Sequence, residues 1–547
     1  MADQYHNIEK LRMEFLLLGV KDNFRFIQNV KAVYYARILE IMNEVMNEFC
    51  GEEEHISFDR IELDLGTIRF PEFNANFVDE IKTALRNQLR NAVKKIKAKK
   101  TLHVDDKQIF DTEEISGELI STTESEFSAI KYFLENGILP WHTVPEFNLN
   151  ETVSKMISIE PEKTKLFFKE MISSETAVQR MIKQLSHDNI ISIIDLLEAD
   201  FPIKYTVFIN ELLEVIRRID GQKFLPHNIE EFVYAEYLKQ LSEEKMGEIS
   251  QHELILKTFK YISELSFVIP VDLFEIVINK SIEMKEKHFS FKSDLINILI
   301  AERKNLSSKI ATIDTIKAEE IEKAGKLKEQ ATEREESKKT ISPKDKVTSE
   351  LKRQRDKIES AVEKKSDVEE NIVPDKTQQK DYERIYVENA GLVLLNPYLK
   401  TFFENRGFIT NDEFVDTASQ IKAVHLLQYI ISGSDENPEH LLALNKILCG
   451  LDTEYPIDRK SEIDEDDIIE SEQLVQSVIK NWEALKDISI NGFKESFLIR
   501  KGIIEIEEDG FLLRVERKAY DILLDKLPWT ISMIQLPWMK KILRVEW

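Results

Sequence analysis

The sequence predicts a mostly helical, multidomain protein. The expected order is a small N-terminal α/β domain (β-α-β-α), a helical bundle or solenoid-like middle, a charged linker, and a C-terminal helical domain with a β-hairpin. Three observations carry this expectation. Only 15 Gly and 14 Pro punctuate 547 residues, too few for the many tight turns of an all-β chain. Apolar residues recur at helical spacing over most of the length. After Leu306 the composition shifts abruptly to Lys, Glu, Ser and Thr, which divides the chain. The length itself suggests roughly three or four domains.

Residues 1–100 give the α/β domain. Ile8, Leu11, Met13, Phe15 and Leu17 alternate as in a strand. Asn23 to Phe49 has helical spacing, with Gly51 as a stop. His55 to Leu65 alternates again, setting Ile61, Leu63 and Leu65 on one face, and Phe77 to Ile96 reads as a second helix. Residues 126–307 are helical throughout, in stretches such as Lys163–Ile172, Ile190–Leu197, Val207–Ile219, Ile229–Leu241, Leu254–Leu265, Leu273–Met284 and Leu295–Arg303. Short loops between them favour antiparallel neighbours.

Residues 308–380 interleave Glu and Lys with too few apolar residues for a buried face, and Pro343 and Pro374 interrupt them. The stretch reads as an extended charged helix or a disordered linker, holding two separately folded ends apart. Within 385–547, helices are expected at Leu392–Asn405, Ile421–Ser432, His440–Leu448 and Ile468–Leu485. Ile504 and Ile506 alternate before Asp509-Gly510, and Phe511, Leu513 and Val515 alternate after it. That pattern predicts a hairpin whose turn uses positive φ at Asp509 and Gly510. A short helix at Ala519–Leu527, two Leu-Pro-Trp units and a last strand at Ile542–Trp547 complete the series.

Net charge is −25, which disfavours nucleic acid and anionic membrane surfaces as partners. The N-terminal residues lack a signal-peptide pattern, and no apolar run approaches the ~18 residues of a membrane span. The expected site of synthesis and assembly is therefore the cytoplasm. Cys50 and Cys449, each before a Gly at a helix end, read as small buried residues, not as a disulfide or a metal pair.

Features that could carry chemistry have plainer readings. Glu62 and Asp64 share one strand face, about 7 Å apart, but form the solvent side opposite Ile61, Leu63 and Leu65. The acidic run Asp464–Asp467 lacks calcium-loop spacing and precedes a helix, whose N-terminus it suits. His425, in an apolar helix, reads as core. No phosphate-loop, dinucleotide, nucleophile-elbow or metal-binding motif is present. The expectation is no catalytic residue, no metal and no cofactor.

The C-terminal third is the most specific part. It holds Asn389-Ala390-Gly391-Leu392-Val393-Leu394-Leu395-Asn396-Pro397-Tyr398-Leu399, Ala423–Tyr429, Leu448-Cys449-Gly450-Leu451 and Phe497-Leu498-Ile499-Arg500-Lys501-Gly502. Val515-Glu516-Arg517, Asp521–Leu524, Leu527-Pro528-Trp529, Leu536-Pro537-Trp538-Met539 and Val545-Glu546-Trp547 follow. This series resembles the tape measure protein family of contractile injection systems, phage-tail-like devices of bacteria. Asp59–Gly66 and Phe133–Trp141 resemble the family's N-terminal motifs.

The resemblance implies a non-enzymatic assembly role, helping to fix the length of an inner tube. It implies tube, baseplate and cap subunits as partners, and a final place inside the tube. Trp141, Trp529, Trp538 and Trp547 are the candidate anchors, as core pins or as interface contacts, because an indole behind a rigid Pro offers a large apolar body. As a single helix, Leu306–Lys380 would measure roughly 110 Å and the whole chain roughly 820 Å. The other class that the helical pattern admits is a cytosolic adaptor of helical-repeat type that binds partner proteins; a hydrolase comes after both.

Overall fold

The computed structural model describes residues 6, 8, 11–18, 22–49, 54–68, 73–101, 117–141, 143, 147–199, 206–219, 228–242, 251–266, 270–308, 384–485 and 488–547. Cys50 and residues 309–380 of the charged stretch lie outside them. The fold is mostly helical, with a small C-terminal sheet. The chain divides into two compact units: Met1–Leu197 with Glu383–Trp547, and Glu198–Tyr382. The division falls inside the stretch read as one helical domain, 126–307.

The first unit begins with α1 (Asn23–Val33), a π-helical turn (Tyr34–Ile38) and α2 (Leu39–Asn47). Asp22 caps α1 by accepting from the Arg25 N–H at 2.9 Å. Together with α3 (Phe73–Thr101) these helices bury Phe26, Val30, Ile38, Val45, Phe77, Ile81, Leu85 and Leu89 in one core. Of the expected β-α-β-α order, the described residues in this region hold one strand, β1 (Glu54–Phe58), between α2 and α3. The partner of β1 is β2 (Gly117–Ser121), antiparallel, from beyond residue 100. Alternation reports a half-buried extended run; it does not supply the hydrogen-bonding partner.

Five helices follow: α4 (Thr122–Asn136), α5 (Leu149–Ile159), α6 (Pro161–Met171), α7 (Glu175–Gln184) and α8 (His187–Leu197). Their ends are set locally. Ser121 and Glu124 form a capping box on α4, and Gly137 closes it in the left-handed region. Asn148 caps α5, Pro161 opens α6 and Ser174 caps α7.

The C-terminal part of this unit has a five-stranded sheet of order β3-β6-β7-β9-β8, from β3 (Arg384–Val387), β6 (Gly502–Glu507), β7 (Gly510–Val515), β8 (Met533–Ile534) and β9 (Ile542–Glu546). Only β7 and β9 run parallel, so a crossover must join them. That crossover holds the 3₁₀ helix Ala519–Lys526 and both Leu-Pro-Trp units. The hairpin forms as expected, with Ile504 opposite Leu513, but Glu507 pairs with Gly510, so Glu508 and Asp509 make the turn. Gly510 has no positive φ; its missing side chain matters because a Cβ would lie 2.4 Å from the Ile542 carbonyl oxygen. A second hairpin joins β4 (Ile409–Thr410) to β5 (Glu413–Phe414) through Asn411 and Asp412, at φ 54° and 67°. It is the two-residue turn with both φ positive that Asn and Asp tolerate.

Around the sheet lie the 3₁₀ turn Ala390–Leu395, the short helix Ile490–Phe493 and four longer helices. The longer helices are α14 (Asn396–Asn405), α15 (Thr417–Ser432), α16 (Ala443–Leu448) and α17 (Glu465–Asn481), numbered after the helices of the second unit. The core they share with the sheet also contains Ile138, from the N-terminal side of the chain. The expectation of two separately folded ends therefore fails: residues just after α4 complete the C-terminal core.

The second unit contains α9 (Thr206–Arg217), α10 (Ile229–Ser242), α11 (Gln251–Ser266), α12 (Pro270–Glu286) and α13 (295–308). Its apolar interior includes Phe208, Leu212, Val233, Leu238, Phe259 and Phe274. Buried Glu198 accepts from Thr206 Oγ1 at 2.6 Å and from the Tyr237 hydroxyl. Among the described residues, no helix is long and apolar enough to cross a membrane.

Candidate functional site: a buried ion cluster

The α7 face carrying Arg180, Lys183 and Gln184 has spacing that places all three side by side. Each reaches residues more than 250 positions away. Arg180 is fully buried; its Nε donates to Glu439 Oε2 at 3.0 Å, and its two terminal nitrogens donate to the Leu134 and Glu454 carbonyls at 2.5 Å each. Gln184 Nε2 donates to the Ile457 carbonyl at 2.7 Å, and its Oε1 accepts from the Glu439 N–H at 3.0 Å. Lys183 pairs with Asp458 at 2.7 Å.

Glu439 also accepts from Lys446 Nζ at 2.7 Å, and the same ammonium donates to the Thr453 and Tyr455 carbonyls at 2.9 and 2.8 Å. Burial pulls the Lys446 ammonium below the ordinary lysine range, against the opposing pull of Glu439. Its three donors nonetheless each have an acceptor, the condition under which a buried charge is tolerated. Gly137 closes the cluster. At φ +76° it turns the chain out of α4, and a Cβ there would lie 2.4 Å from Glu439 Oε1. The Phe133–Trp141 motif is thus shaped around this carboxylate.

The C-terminal motifs lock onto one another in the same way. Asn389 Nδ2 donates to Gln428 Oε1 at 2.9 Å and to Asn445 Oδ1 at 2.7 Å, all three buried. Arg500 pairs with Asp521 at 2.6 Å and donates to the Ser496 and Glu516 carbonyls. Its guanidinium sits over Tyr520 and Trp547, 4.9 and 5.5 Å from the ring centres.

The four candidate tryptophans are all half-buried. Trp529 Nε1 donates to the Leu394 carbonyl at 3.1 Å, Trp538 Nε1 to the Leu448 carbonyl at 2.9 Å, and Trp547 Nε1 to Asp521 Oδ2 at 3.1 Å. Trp141 lies in the turn after α4, away from these three in sequence. The fifth, Trp482, is fully buried against Phe497, at 5.0 Å between ring centres. It was not among the expected anchors, although Leu474, Val478 and Trp482 continue one helical stripe. Arg180, Glu439 and Lys446 left no signal at all, since single charges in helical segments look like a solvated face.

The residues weighed for chemistry take structural places. Glu62 and Asp64 are exposed, one beside Arg60 and the other accepting from the Gly66 N–H. Asp464 and Asp467 form a capping box on α17 and pair with Arg406 and Lys422. The Asp467 N–H leads the interactions that hold the Asp464 carboxyl down at about 2. Cys449 is buried at the end of α16, and burial pushes its thiol up. Among the described residues, no group of three His, Cys, Asp or Glu could hold a metal ion.

His425 is buried, and desolvation lowers it to about 4, with Asp458 opposing. The ordinary histidine value is about 6.5. The unfolded chain therefore binds the extra proton between these values, and stability falls as pH drops from about 6.5 towards 4. His425→Asn is expected to flatten that decline by up to one proton, as read from urea midpoints across the window; an unchanged slope would contradict the assignment.

A family model described as contractile injection system tape measure protein matches residues 5–547. No curated protein matches the chain, and no solved structure does. The matched span takes in the ion cluster and both sets of motifs, and the chain belongs to the contractile injection system tape measure protein family.

Proposed function

We propose that this chain is an assembly protein, not an enzyme, and that it helps to fix the length of the inner tube of a contractile injection device. The family match over nearly the whole chain carries this reading. The packing of the motifs supports it: their charged and aromatic groups are engaged with one another, as suits a part that must hold a shape. The four half-buried tryptophans Trp141, Trp529, Trp538 and Trp547 act as pins, a role supported for three of them by indole hydrogen bonds within the chain.

Tube, baseplate and cap subunits are the partners on this reading. The chain is made in the cytoplasm and ends inside the tube. For it to measure more than the roughly 110 Å of a helical charged stretch, helices from α4 onward open out as the tube grows.

Particles assembled without the protein test the assembly role. The expected images show tubes of scattered length or no complete particles. A normal, narrow length distribution would remove the proposal, since nothing then depends on this chain.

A further inference from the structure

The charge of α3 runs against that of the rest of the chain. From Lys82 to Lys100 the helix carries eight basic residues and no acidic one. Net charge is −25 overall, so setting these eight aside leaves −33 on the remainder.

The basic residues are ordered along the helix. Ile81, Leu85, Leu89 and Val93 recur every fourth residue and are buried. Lys82, Arg86, Arg90 and Lys94 follow one position behind them and form a parallel row. Residues four apart lie on one inclined ridge of a helix, rising about 6 Å at each step. The row starts half-buried at Lys82 and Arg86 and emerges into solvent at Arg90 and Lys94.

The half-buried part shows what such a row binds. α2 presents Glu44 and Glu48, also four apart. Lys82 Nζ donates to both Glu44 oxygens at 2.9 Å. Arg86 Nε and Nη2 donate to the two Glu48 oxygens at 2.8 and 2.5 Å, a bidentate fit that fixes register as well as charge. α2 then ends at Asn47, with Glu48 as its cap residue. α3 continues from Arg86 to Thr101, about 22 Å of further helix.

We propose that the part of this row from Arg90 onward is a docking surface for an acidic helix of a partner protein, whose carboxylates, four residues apart, continue the line of Glu44 and Glu48. The spacing selects a helix, because carboxylates four apart rise at the same step as the cations beneath them. The charge of the remainder disfavours a nucleic acid. A duplex extends well past the ~10 Å screening distance and meets the repulsive field of the whole chain, whereas a short helix meets mainly the local cations. Exposed ion pairs are weak singly, so several must engage in register, and binding should fall with salt. The proposal does not depend on the ruler reading, since an assembly protein of any kind can recruit an acidic helix.

Fluorescence anisotropy of a labelled peptide with the full chain at low salt provides the test. The probe is an alanine-based helical peptide with Glu at every fourth position. Saturable binding is expected. A peptide of the same composition, with its carboxylates spread around the helix, should bind at least about tenfold more weakly. Arg90→Glu with Lys94→Glu removes two pairs and opposes like charges, and should also weaken binding at least about tenfold. An unchanged urea midpoint for that variant separates loss of docking from loss of folding, and Arg90→Lys with Lys94→Arg should keep most of the affinity. No binding by the full chain would overturn the proposal, as when its own carboxylates already occupy the row. So would binding indifferent to the charge reversal or to the carboxylate spacing, or a short DNA duplex that binds as tightly as the peptide at the same residues.

Discussion

Gly391→Ala is expected to abolish stable folding of the unit that contains it. A Cβ at this position would lie 1.8 Å from the Phe497 carbonyl oxygen and 2.6 Å from the Leu498 Cα. Both are main-chain atoms, so no side chain can swing aside. Ala390 and Leu392–Leu395 on the same turn are fully buried, as are Phe497 and Leu498 opposite. The backbone of one motif therefore rests directly on that of another, with room for a hydrogen only. Forcing them apart also displaces the Leu394 carbonyl that receives the Trp529 indole.

The expected loss exceeds about 4 kcal/mol, at the extreme of single substitutions. All five tryptophans fall in the first unit, so their fluorescence during urea unfolding reports that unit. Gly433→Ala is the control. It ends α15 at φ +69°, and an added Cβ there meets nothing within 4 Å. Only the cost of the left-handed conformation remains, about 1–2 kcal/mol. If the two variants lose similar stability, close approach is not what Gly391 provides.

Glu439→Ala comes next in size. It would leave the Arg180 guanidinium and the Lys446 ammonium buried without their shared carboxylate. Breaking a buried pair by removing one partner costs about 3–5 kcal/mol, because the remaining charge is uncompensated. Here two positive charges remain. The same physics predicts a rescue: Glu439→Leu combined with Arg180→Met and Lys446→Met removes every charge at once and should recover most of the loss. A loss below about 1 kcal/mol for Glu439→Ala alone would show that the cluster is not what joins α7 to the C-terminal part of the unit.

Much of the fold was legible because local rules govern it. Helical spacing identified α6 and α8 to α12, and an acidic run before Ile468 identified the cap of α17. The hairpin of Ile504 and Leu513 followed from alternation on either side of a short turn. What was not legible depended on distant partners. Ile61, Leu63 and Leu65 alternate as a strand should, but nothing in the segment says that β1 will pair with Gly117–Ser121 instead. Asn411 and Asp412 form a tight hairpin between strands too short to show alternation.

The candidate site divides along the same line. Trp529, Trp538 and Trp547 were visible as large side chains in distinctive surroundings. Arg180 and Glu439 were not, because their pairing spans most of the chain and a charge that will be buried looks like any other. That unseen pair also bears on the architecture, since it ties α7 to the turn before α16.

The most direct test of the ruler is a series of internal deletions within residues 309–380, each followed by imaging of assembled particles. If the chain measures the tube as an extended helix, mean tube length falls by about 1.5 Å for each residue removed. Tubes of constant length across the series would contradict the account, whatever else the protein does for assembly.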